Sequence, residues 1–410
     1  MPKWERQWDR GDYYTIGGSG RVIPDSSDQW TIERGLRERG IKLQISREDN
    51  VVDALRVTQG ADVVIACGGA WAREGTDRWN LELDQHNFLV DLSASMASHM
   101  PVPPPHSCDH DDSCTSPGND CCAPSQLNEQ ATCSHGLTPV RTGDGCFNFA
   151  DGAYVCCSPA ELTGGGEMPR STHYPPLVVV ALAPGAIVCN QWAERSAAIL
   201  LLFLSGETTG MAAADVFLGS VSPSGKLPVT LPTRQEDVLQ PCTDDDCVYS
   251  EGLAHGWKAF LGASASVEDD RSVAFPFGFG LSYSSFSYNW VGSLPSAARA
   301  SDSGDVEAAS PFLTLRVTVT NAGGVAAAEV AQLYLAFPPG YGEPPLLLRG
   351  FAKTAVLEPG AQSMLSFELS ERDLSVWDLT SAAWRRATGT FSAFVGGSSR
   401  DQQLTHTFSA

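Results

Sequence analysis

The order of apolar and polar positions divides the chain into two regimes. In the first, short apolar runs alternate with helical spacings. Residues 30–40 predict a short helix that stops at Gly40, and residues 41–45 a strand. At residues 50–58, Val51, Val52 and Leu55 fall at helical spacing, with Asn50 placed to cap and Gly60 to stop the helix. Ala61-Asp-Val-Val-Ile-Ala-Cys67 then runs on without alternation into Gly68-Gly69. A continuous apolar run suits a parallel strand covered on both faces, whereas a strand with one wet face alternates. A helix is predicted over 84–100. The pattern then returns as a strand at 177–182, a helix at 191–196, a strand at 198–204 and a helix at 208–218 ended by Gly219. Strand and helix alternating in this way predict an α/β domain with a mainly parallel sheet.

The second regime begins near residue 300, within a Ser/Ala-rich stretch at 293–310. Leu313, Leu315, Val317 and Val319 alternate with Thr314, Arg316, Thr318 and Thr320, the mark of a half-buried strand, and Asn321-Ala-Gly-Gly turns the chain. Further strands are predicted at 329–337, 363–369 and 390–395, separated by turns such as Glu358-Pro-Gly360. Short strands punctuated by Pro and Gly predict a β-sandwich. The expected division is an α/β domain over 1–293 and a sandwich over 306–410, with no internal repeat.

Composition narrows the partners. The chain has 410 residues, and at about 150 residues per domain that is two to three domains. With 27 basic and 48 acidic residues the net charge is −21, which argues against nucleic acid or an anionic membrane as the main partner; a neutral substrate fits better. Hydrophobic residues at 42% against 18% charged exclude wholesale disorder. The longest apolar runs, such as 197–204, fall far short of the ~20 residues that span a bilayer. The first residues, Met-Pro-Lys-Trp-Glu-Arg-Gln-Trp, contain no apolar core of a secretory signal, so the expectation is either a cytosolic protein or a true start further upstream.

The cysteines favour the second. Cys108, Cys114, Cys121, Cys122, Cys133, Cys146, Cys156 and Cys157 crowd a Pro/Gly/Asp-rich stretch. A dense, even set reads as a disulfide framework, here a stapled insertion over 101–173 within the α/β domain. Zinc is the rival, since His106, His110 and His135 are close, but there is no pair of Cys-x-x-Cys half-sites at zinc-finger spacing. Spacing does not choose among the possible connectivities. Cys242 and Cys247 flank an acidic loop and could close a small ring, while Cys67 and Cys189 lie in apolar runs and are expected to be buried and unpaired. Such chemistry belongs to an extracellular or secretory compartment.

Nucleotide and serine-hydrolase motifs fail. Gly17-Gly-Ser-Gly20 lacks a third glycine and a preceding strand; Gly219 to Lys226 has the wrong spacing and is followed by Leu227 where a phosphate loop needs Ser or Thr. No Gly-x-Ser-x-Gly elbow occurs. Neither metal nor cofactor is required. That leaves carboxylates, and Glu74 in Arg73-Glu-Gly-Thr-Asp-Arg78 stands out, on the loop leaving the carboxyl end of the run at 61–67. Open α/β sheets bind ligands outside those ends. A carboxyl group there donates a proton to a leaving group if its surroundings raise its pKa, and Asp77 and Arg78 could pair to fix the loop. On spacing alone, a solvated loop with an ordinary ion pair is the better reading.

The residues also carry a resemblance. Ala61-Asp-Val-Val-Ile-Ala-Cys-Gly-Gly, Glu74-Gly-Thr-Asp-Arg78 and Leu81-Glu-Leu resemble the second domain of glycoside hydrolase family 3, the β-glucosidase family. Leu177-Val-Val-Val-Ala-Leu, Gly206-Glu-Thr-Thr-Gly-Met-Ala-Ala-Ala-Asp215, Pro223-Ser-Gly-Lys-Leu-Pro228, Tyr249-Ser-Glu-Gly252 and Phe275-Pro-Phe-Gly-Phe-Gly-Leu-Ser-Tyr283 continue it. Val317-Thr-Val-Thr-Asn321, Gly350-Phe, Leu357-Glu-Pro-Gly360, Arg372-Asp-Leu374 and Val395-Gly-Gly-Ser-Ser-Arg-Asp401 are similar to that family's fibronectin type III-like domain. The motifs cover nearly everything outside 100–173, in order.

The resemblance implies retaining, exo-acting hydrolysis of β-linked glucosides. In the family an aspartate on an N-terminal (β/α)8 barrel is the nucleophile, and a glutamate from the second domain is the acid/base; Glu74 matches it by its place before Gly-x-Asp-Arg. A barrel takes ~250 residues, and this chain opens only a few residues before Gly17-Gly-Ser-Gly20, which resembles the start of the second domain. The barrel is therefore expected to be absent, and no aspartate is assigned as nucleophile. The cysteine-rich block is foreign to the family's pattern, and its Phe147, Phe149 and Tyr154 are read as its minimal core ahead of a glycan-binding surface. Glu207 stands where the family often has Gln and receives no role. Three readings follow: the C-terminal part of a secreted β-glucosidase, a non-catalytic carbohydrate-binding or interaction protein, or an enzyme whose barrel acts in trans. Expected partners are a β-glucoside or oligosaccharide and the barrel, in cis or in trans.

Overall fold

The computed structural model describes residues 13–14, 30–72, 78–97, 174–239, 246–261, 272–297 and 312–410, with the backbone of three short strands between 121 and 156. Helix α1 (Ile32–Glu38) starts at Thr31, whose hydroxyl accepts from Arg34 N at 3.2 Å. Helix α2 (Val51–Val57) starts at Asn50, which accepts from Asp53 N at 3.2 Å. Each cap satisfies an amide that the first turn leaves free. Residues 41–45, expected as a strand, form none. Leu43 packs on the α1 side of the core while Ile41 stays exposed, so the run lies on the surface without a ladder partner.

Strand β1 (Val64–Gly69) leads to α3 (His86–Ala97). Then come the short strands β2 (Cys121–Cys122), β3 (Cys146–Asn148) and β4 (Tyr154–Cys156), an antiparallel set in which β4 is central and Cys146 faces Cys156 in register. Strand β5 (Leu177–Leu182), helix α4 (Asn190–Ala193), strand β6 (Ala198–Leu202) and helix α5 (Thr209–Phe217) complete the repeat. β1, β5 and β6 pair in parallel in that order, with Val64 opposite Leu177 and Val178 opposite Ala198.

Both faces of this sheet are covered. On one, Val179 and Ala181 pack with Leu55 of α2, Leu89 and Leu92 of α3 and Trp192 of α4; on the other, Val180 and Leu182 pack with Ile32 and Leu36 of α1 and Ala213 and Ala214 of α5. That is why β5 reads as an unbroken apolar run: it has no wet side. Helices α1 and α5 cross at glycines. A Cβ on Gly35 would sit 2.0 Å from Gly210 O, and one on Gly210 would sit 2.0 Å from Thr31 O.

After a small pair, β7 (Leu231–Pro232) and β8 (Val273–Phe275), the chain enters an all-β sandwich. Its strands are β9 (Phe286–Trp290), β10 (Leu313–Asn321), β11 (Val330–Ala336), β12 (Leu347–Lys353), β13 (Gln362–Leu369), β14 (Ser375–Asp378), β15 (Ala383–Arg386), β16 (Thr390–Gly396) and β17 (Gln402–Ser409). One sheet has the order β13-β10-β9, the other β12-β11-β16-β17, and β14 and β15 form a separate hairpin. The predicted alternation of β10 holds: Leu313, Leu315, Val317 and Val319 are buried, facing Leu333, Leu335, Phe391 and Val395 of the second sheet. Phe391 stacks on Phe408 with centroids 5.4 Å apart.

A buried polar seam joins the two halves. Lys226 Nζ lies 3.0 Å from Glu329 Oε1, with the side chains 13% and 5% exposed. The same ammonium donates to Gly280 O at 3.0 Å, and Tyr288 OH donates to Glu329 Oε1 at 2.9 Å. Gln332 Nε2 donates to Gly278 O at 3.0 Å and Gly397 O at 2.7 Å. Trp257 stacks on Phe277 at 4.8 Å and meets Tyr334 edge-on. Gly278 has φ +81°, and a Cβ there would lie 2.1 Å from Gln332 Oε1, so both backbone shape and space demand glycine.

Of the cysteines, Cys189 is free and buried as expected, and burial pushes its thiol up to about 12. Cys67 is free as expected; it lies on β1, an edge strand of its sheet, where the residue keeps exposed surface while burial around the thiol pushes its pKa up to about 11. Cys247 is disulfide-bonded. Cys108, Cys114, Cys133, Cys157 and Cys242 lie outside the described residues, and only the backbone of Cys121, Cys122, Cys146 and Cys156 is described.

Candidate active site

The carboxyl ends of β1, β5 and β6 open at one end of the parallel sheet. Glu74 and Asp77 fall in residues 73–77, outside the described residues, but both ends of that segment are fixed. Ala70 N donates to Leu182 O at 2.9 Å, continuing the β1–β5 ladder one residue past β1. The chain returns at Arg78, whose Nη2 donates to Ala186 O at 2.5 Å in the loop after β5. The partner of Arg78 seen here is thus a backbone carbonyl.

Beyond Arg78 the chain is tied down at nearly every step. Val188 N donates to Leu81 O at 2.9 Å, and Leu81 N donates to Gln235 Oε1 at 2.7 Å. Asp84 N returns to Gly69 O at 2.8 Å, while Gly69 N donates to Gln85 Oε1 at 2.8 Å. Tyr13 OH donates to Asp84 Oδ2 at 2.7 Å and its ring lies over Gly69, where a Cβ would come within 2.4 Å of it. Leu83 and Leu89 close the floor beneath Gly68. The residues on either side of 73–77 are therefore held in a hydrogen-bonded frame.

Burial pushes the pKa of Arg78 down, Asp84 draws it back up, and Nη1 is buried with no hydrogen-bond partner among the described residues. A guanidinium half-removed from water and satisfied on one side is held by its packing and offers a cationic edge to whatever stands next to it. In the loop after β6, Thr209 Oγ1 donates to Gly206 O at 2.6 Å and shares a 2.8 Å hydrogen bond with Ser205 Oγ. Glu207 takes part through its backbone: its carbonyl accepts from Trp30 N at 3.1 Å, next to the Gly35–Gly210 crossing. Apolar side chains next in sequence to Arg78 and to β6 lie in the open: Trp79 is 98% exposed, and Leu204 is also exposed.

Gln235 and Ala186 are the site residues that sequence reasoning missed. Gln235 sits on a single turn of 3-10 helix far along the chain, and Ala186 contributes only a carbonyl, so neither leaves a motif. Among the described residues no three His, Cys, Asp or Glu side chains are grouped to hold a metal ion.

A three-stranded parallel sheet between helices, followed by a seven-strand sandwich and its hairpin, matches two known domains. Residues 170–283 match the glycosyl hydrolase family 3 C-terminal domain and residues 329–399 the fibronectin type III-like domain. Over residues 170–283 the chain is thus similar to the C-terminal domain of glycosyl hydrolase family 3. It is 34% identical over 253 residues to probable beta-glucosidase M of Aspergillus niger, covering 57% of this chain and 32% of that protein. It is 38% identical over 216 residues to beta-glucosidase cel3A of Pyricularia oryzae, covering 50% and 29%. The crystal structure of beta-D-glucoside glucohydrolase from Trichoderma reesei superposes with a TM-score of 0.68 at 26% identity, over 98% of this chain and 48% of that one. The chain thus spans about a third of the length of the curated relatives it matches and about half of that enzyme.

Proposed function

We propose that this chain is the C-terminal portion of a retaining β-glucosidase, in which Glu74 is the acid/base and the nucleophile is an aspartate of a (β/α)8 barrel. The observation that carries the reading is the frame around residues 73–77. The segment between Ala70 and Arg78 is anchored at both ends on the carboxyl side of the parallel sheet, where α/β folds present ligand-binding groups.

The chemistry divides between two carboxyl groups about 5–5.5 Å apart. The barrel aspartate attacks the anomeric carbon while Glu74 gives its proton to the departing glycosidic oxygen. Glu74 then takes a proton from the water that releases the sugar. Arg78 is a positioning residue that fixes the loop's exit, and Asp77 supports the same loop. The substrate is a β-glucoside or oligosaccharide. We further assign 1–293 to the α/β domain with a disulfide-stapled insertion at 101–173, and 306–410 to the sandwich, with Phe286–Trp290 corrected from the first to the second because it pairs with β10, in a secreted protein. Without a barrel, in cis or in trans, the same chain is a non-catalytic module.

The test joins a family 3 barrel to the N-terminus and compares Glu74→Gln with the parent. Hydrolysis of a β-glucoside with a poor leaving group is expected to fall by about 10²–10⁴-fold, the range for losing a general acid. Dinitrophenyl glucoside, which leaves without protonation, is expected to be cleaved to the glycosyl-enzyme nearly as before. Equal losses on both substrates would remove Glu74 from the role.

A further inference from the structure

The cysteine-rich block takes no part in the site above, yet its three strands set cysteines against one another. Strand β4 is central, with β2 on one side and β3 on the other. Along β4, Tyr154 stands opposite Cys122 and Asn148, Val155 opposite Cys121 and Phe147, and Cys156 opposite Cys146. Directly opposed residues share a face of the sheet, and successive residues of a strand alternate between faces. Cys122, Cys146 and Cys156 therefore belong to one face with Tyr154, and Cys121 to the other with Val155 and Phe147.

Disulfide geometry selects one pair among these four cysteines. A bridge needs Cα atoms about 4.4–6.8 Å apart and Cβ bonds that do not diverge. Residues directly opposed in an antiparallel pair have Cα atoms about 4.5–5.5 Å apart, whether or not they exchange hydrogen bonds, so Cys146 and Cys156 qualify. The other combinations fail. Cys121 and Cys122 are chain neighbours on opposite faces, and Cys121 and Cys156 are also on opposite faces across the β2–β4 pairing. Cys122 is two positions out of register with Cys156, a diagonal of about 7–8 Å, which is too long. Cys121 and Cys122 are both two strands away from Cys146, about 9–10 Å at the usual strand spacing.

The ladder alone is too short to hold these strands. β3 and β4 have 3 residues each, with Phe149-Ala-Asp-Gly-Ala153 between them. A hairpin is marginal in water even when its strands are longer, and a cross-link that closes the loop removes unfolded conformations. We propose that Cys146 and Cys156 form a cross-strand disulfide that staples β3 to β4. This pairing rests on the reading of 101–173 as a disulfide-stapled insertion and supplies a connectivity that spacing leaves open. Forming the bond removes two electrons and two protons from the two thiols, and a disulfide oxidant such as glutathione disulfide takes them. One cysteine thiolate attacks the oxidant to give a mixed disulfide, the other displaces it, and two molecules of the small thiol leave.

The experiment maps the disulfides of the full 410-residue chain after oxidation with glutathione disulfide, with remaining thiols blocked by N-ethylmaleimide in denaturant. Trypsin cuts after Arg141 and Arg170, and Asp-N protease before Asp144 and Asp151, so Cys146 falls on the peptide 144–150 and Cys156 with Cys157 on 151–170. The two peptides are expected to travel as one linked species in the mass spectrometer and to separate on reduction. Fragmentation of the chain between Cys156 and Cys157 is expected to put the link on Cys156, and Cys157→Ser to keep it. A link from Cys146 to Cys157, or to any cysteine outside this hairpin, overturns the pairing and leaves the stapled insertion standing, as does loss of the 144–150 link in Cys157→Ser. Cysteines of the block that are all alkylated without reduction overturn the pairing and the stapled insertion together.

Discussion

Lys226 and Glu329 meet across the domain join at 3.0 Å, and neither has an exposed head group: their side chains are 13% and 5% accessible. Tyr288 OH and Gly280 O complete the set, so both charges are desolvated and both are compensated. Removing one partner strands the other, which costs about 3–5 kcal/mol in buried pairs, whereas replacing both with apolar side chains is often close to neutral. Glu329→Leu and Lys226→Met are each expected to lower the unfolding free energy by that order, and the double variant to recover most of the loss. Urea titration of the three variants checks it; additive losses would mean the pair is not coupled.

Alkaline pH should find the same seam. Burial and the neighbouring Glu329 push the Tyr288 phenol far above its ordinary value, and burial lifts Cys189 to about 12. Groups that stay protonated in the fold but ionise in the unfolded chain stabilise fully below their unfolded values, near 8.5 for Cys and 10 for Tyr, and that contribution is lost as pH rises toward the folded ones. Stability is therefore expected to hold from pH 7 to about 8 and then fall progressively through pH 9–12. Tyr288→Phe should make the limb above about pH 10 shallower; an unchanged limb would show that Tyr288 is not its source.

Arg78 should act on turnover more than on affinity. In a form joined to a barrel, Arg78→Met removes the tether to Ala186 O and frees the exit of the loop that bears Glu74. A small misplacement of a catalytic group costs about 10²-fold, so kcat is expected to fall by that order with KM little changed. A rise in KM at constant kcat would assign Arg78 to sugar binding instead.

Exposed apolar side chains predict the behaviour of the isolated chain. Trp79, Leu204, Leu239, Val248 and Tyr249 are exposed. Exposed apolar surface of this kind marks an interface or drives association. The 410 residues are expected to self-associate or to bind a hydrophobic dye, and Trp79→Ser with Val248→Ser to reduce both. A monodisperse monomer without dye binding would count against a missing domain.

The sequence-based reading succeeded where burial has a local period. β5 shows as a continuous apolar run because helices cover both of its faces, and β10 as strict alternation because one face is wet. Asn50 was legible as a cap because capping needs one side chain and an amide three residues on. Residues 41–45 misled because Ile41, Leu43 and Ile45 alternate like a strand while no strand among the described residues pairs with them. Phe286-Ser-Tyr-Asn-Trp290 alternates too, but its membership of the sandwich depends on pairing with β10, across a long sequence gap. At the candidate site, the sequence singles out Glu74 by its place after an apolar strand and the motif around it, a residue outside the described ones. The anchors Ala186 and Gln235 were not legible, since a backbone carbonyl and a distant amide obey no spacing. For the same reason Lys226 and Glu329 were seen only as members of separate stretches.

Strand β9 precedes the Ser/Ala-rich stretch, yet it pairs with β10 from Phe286 opposite Asn321 to Trp290 opposite Val317. The chain thus commits one strand to the sandwich before that stretch begins, so the border between the two folding units lies ahead of Phe286. A recombinant sandwich begun at residue 306 would start one strand short, with the free edge of β10 open to pairing with another molecule. Excised material of that kind should precipitate, whereas one begun before Phe286 would carry its own closing strand.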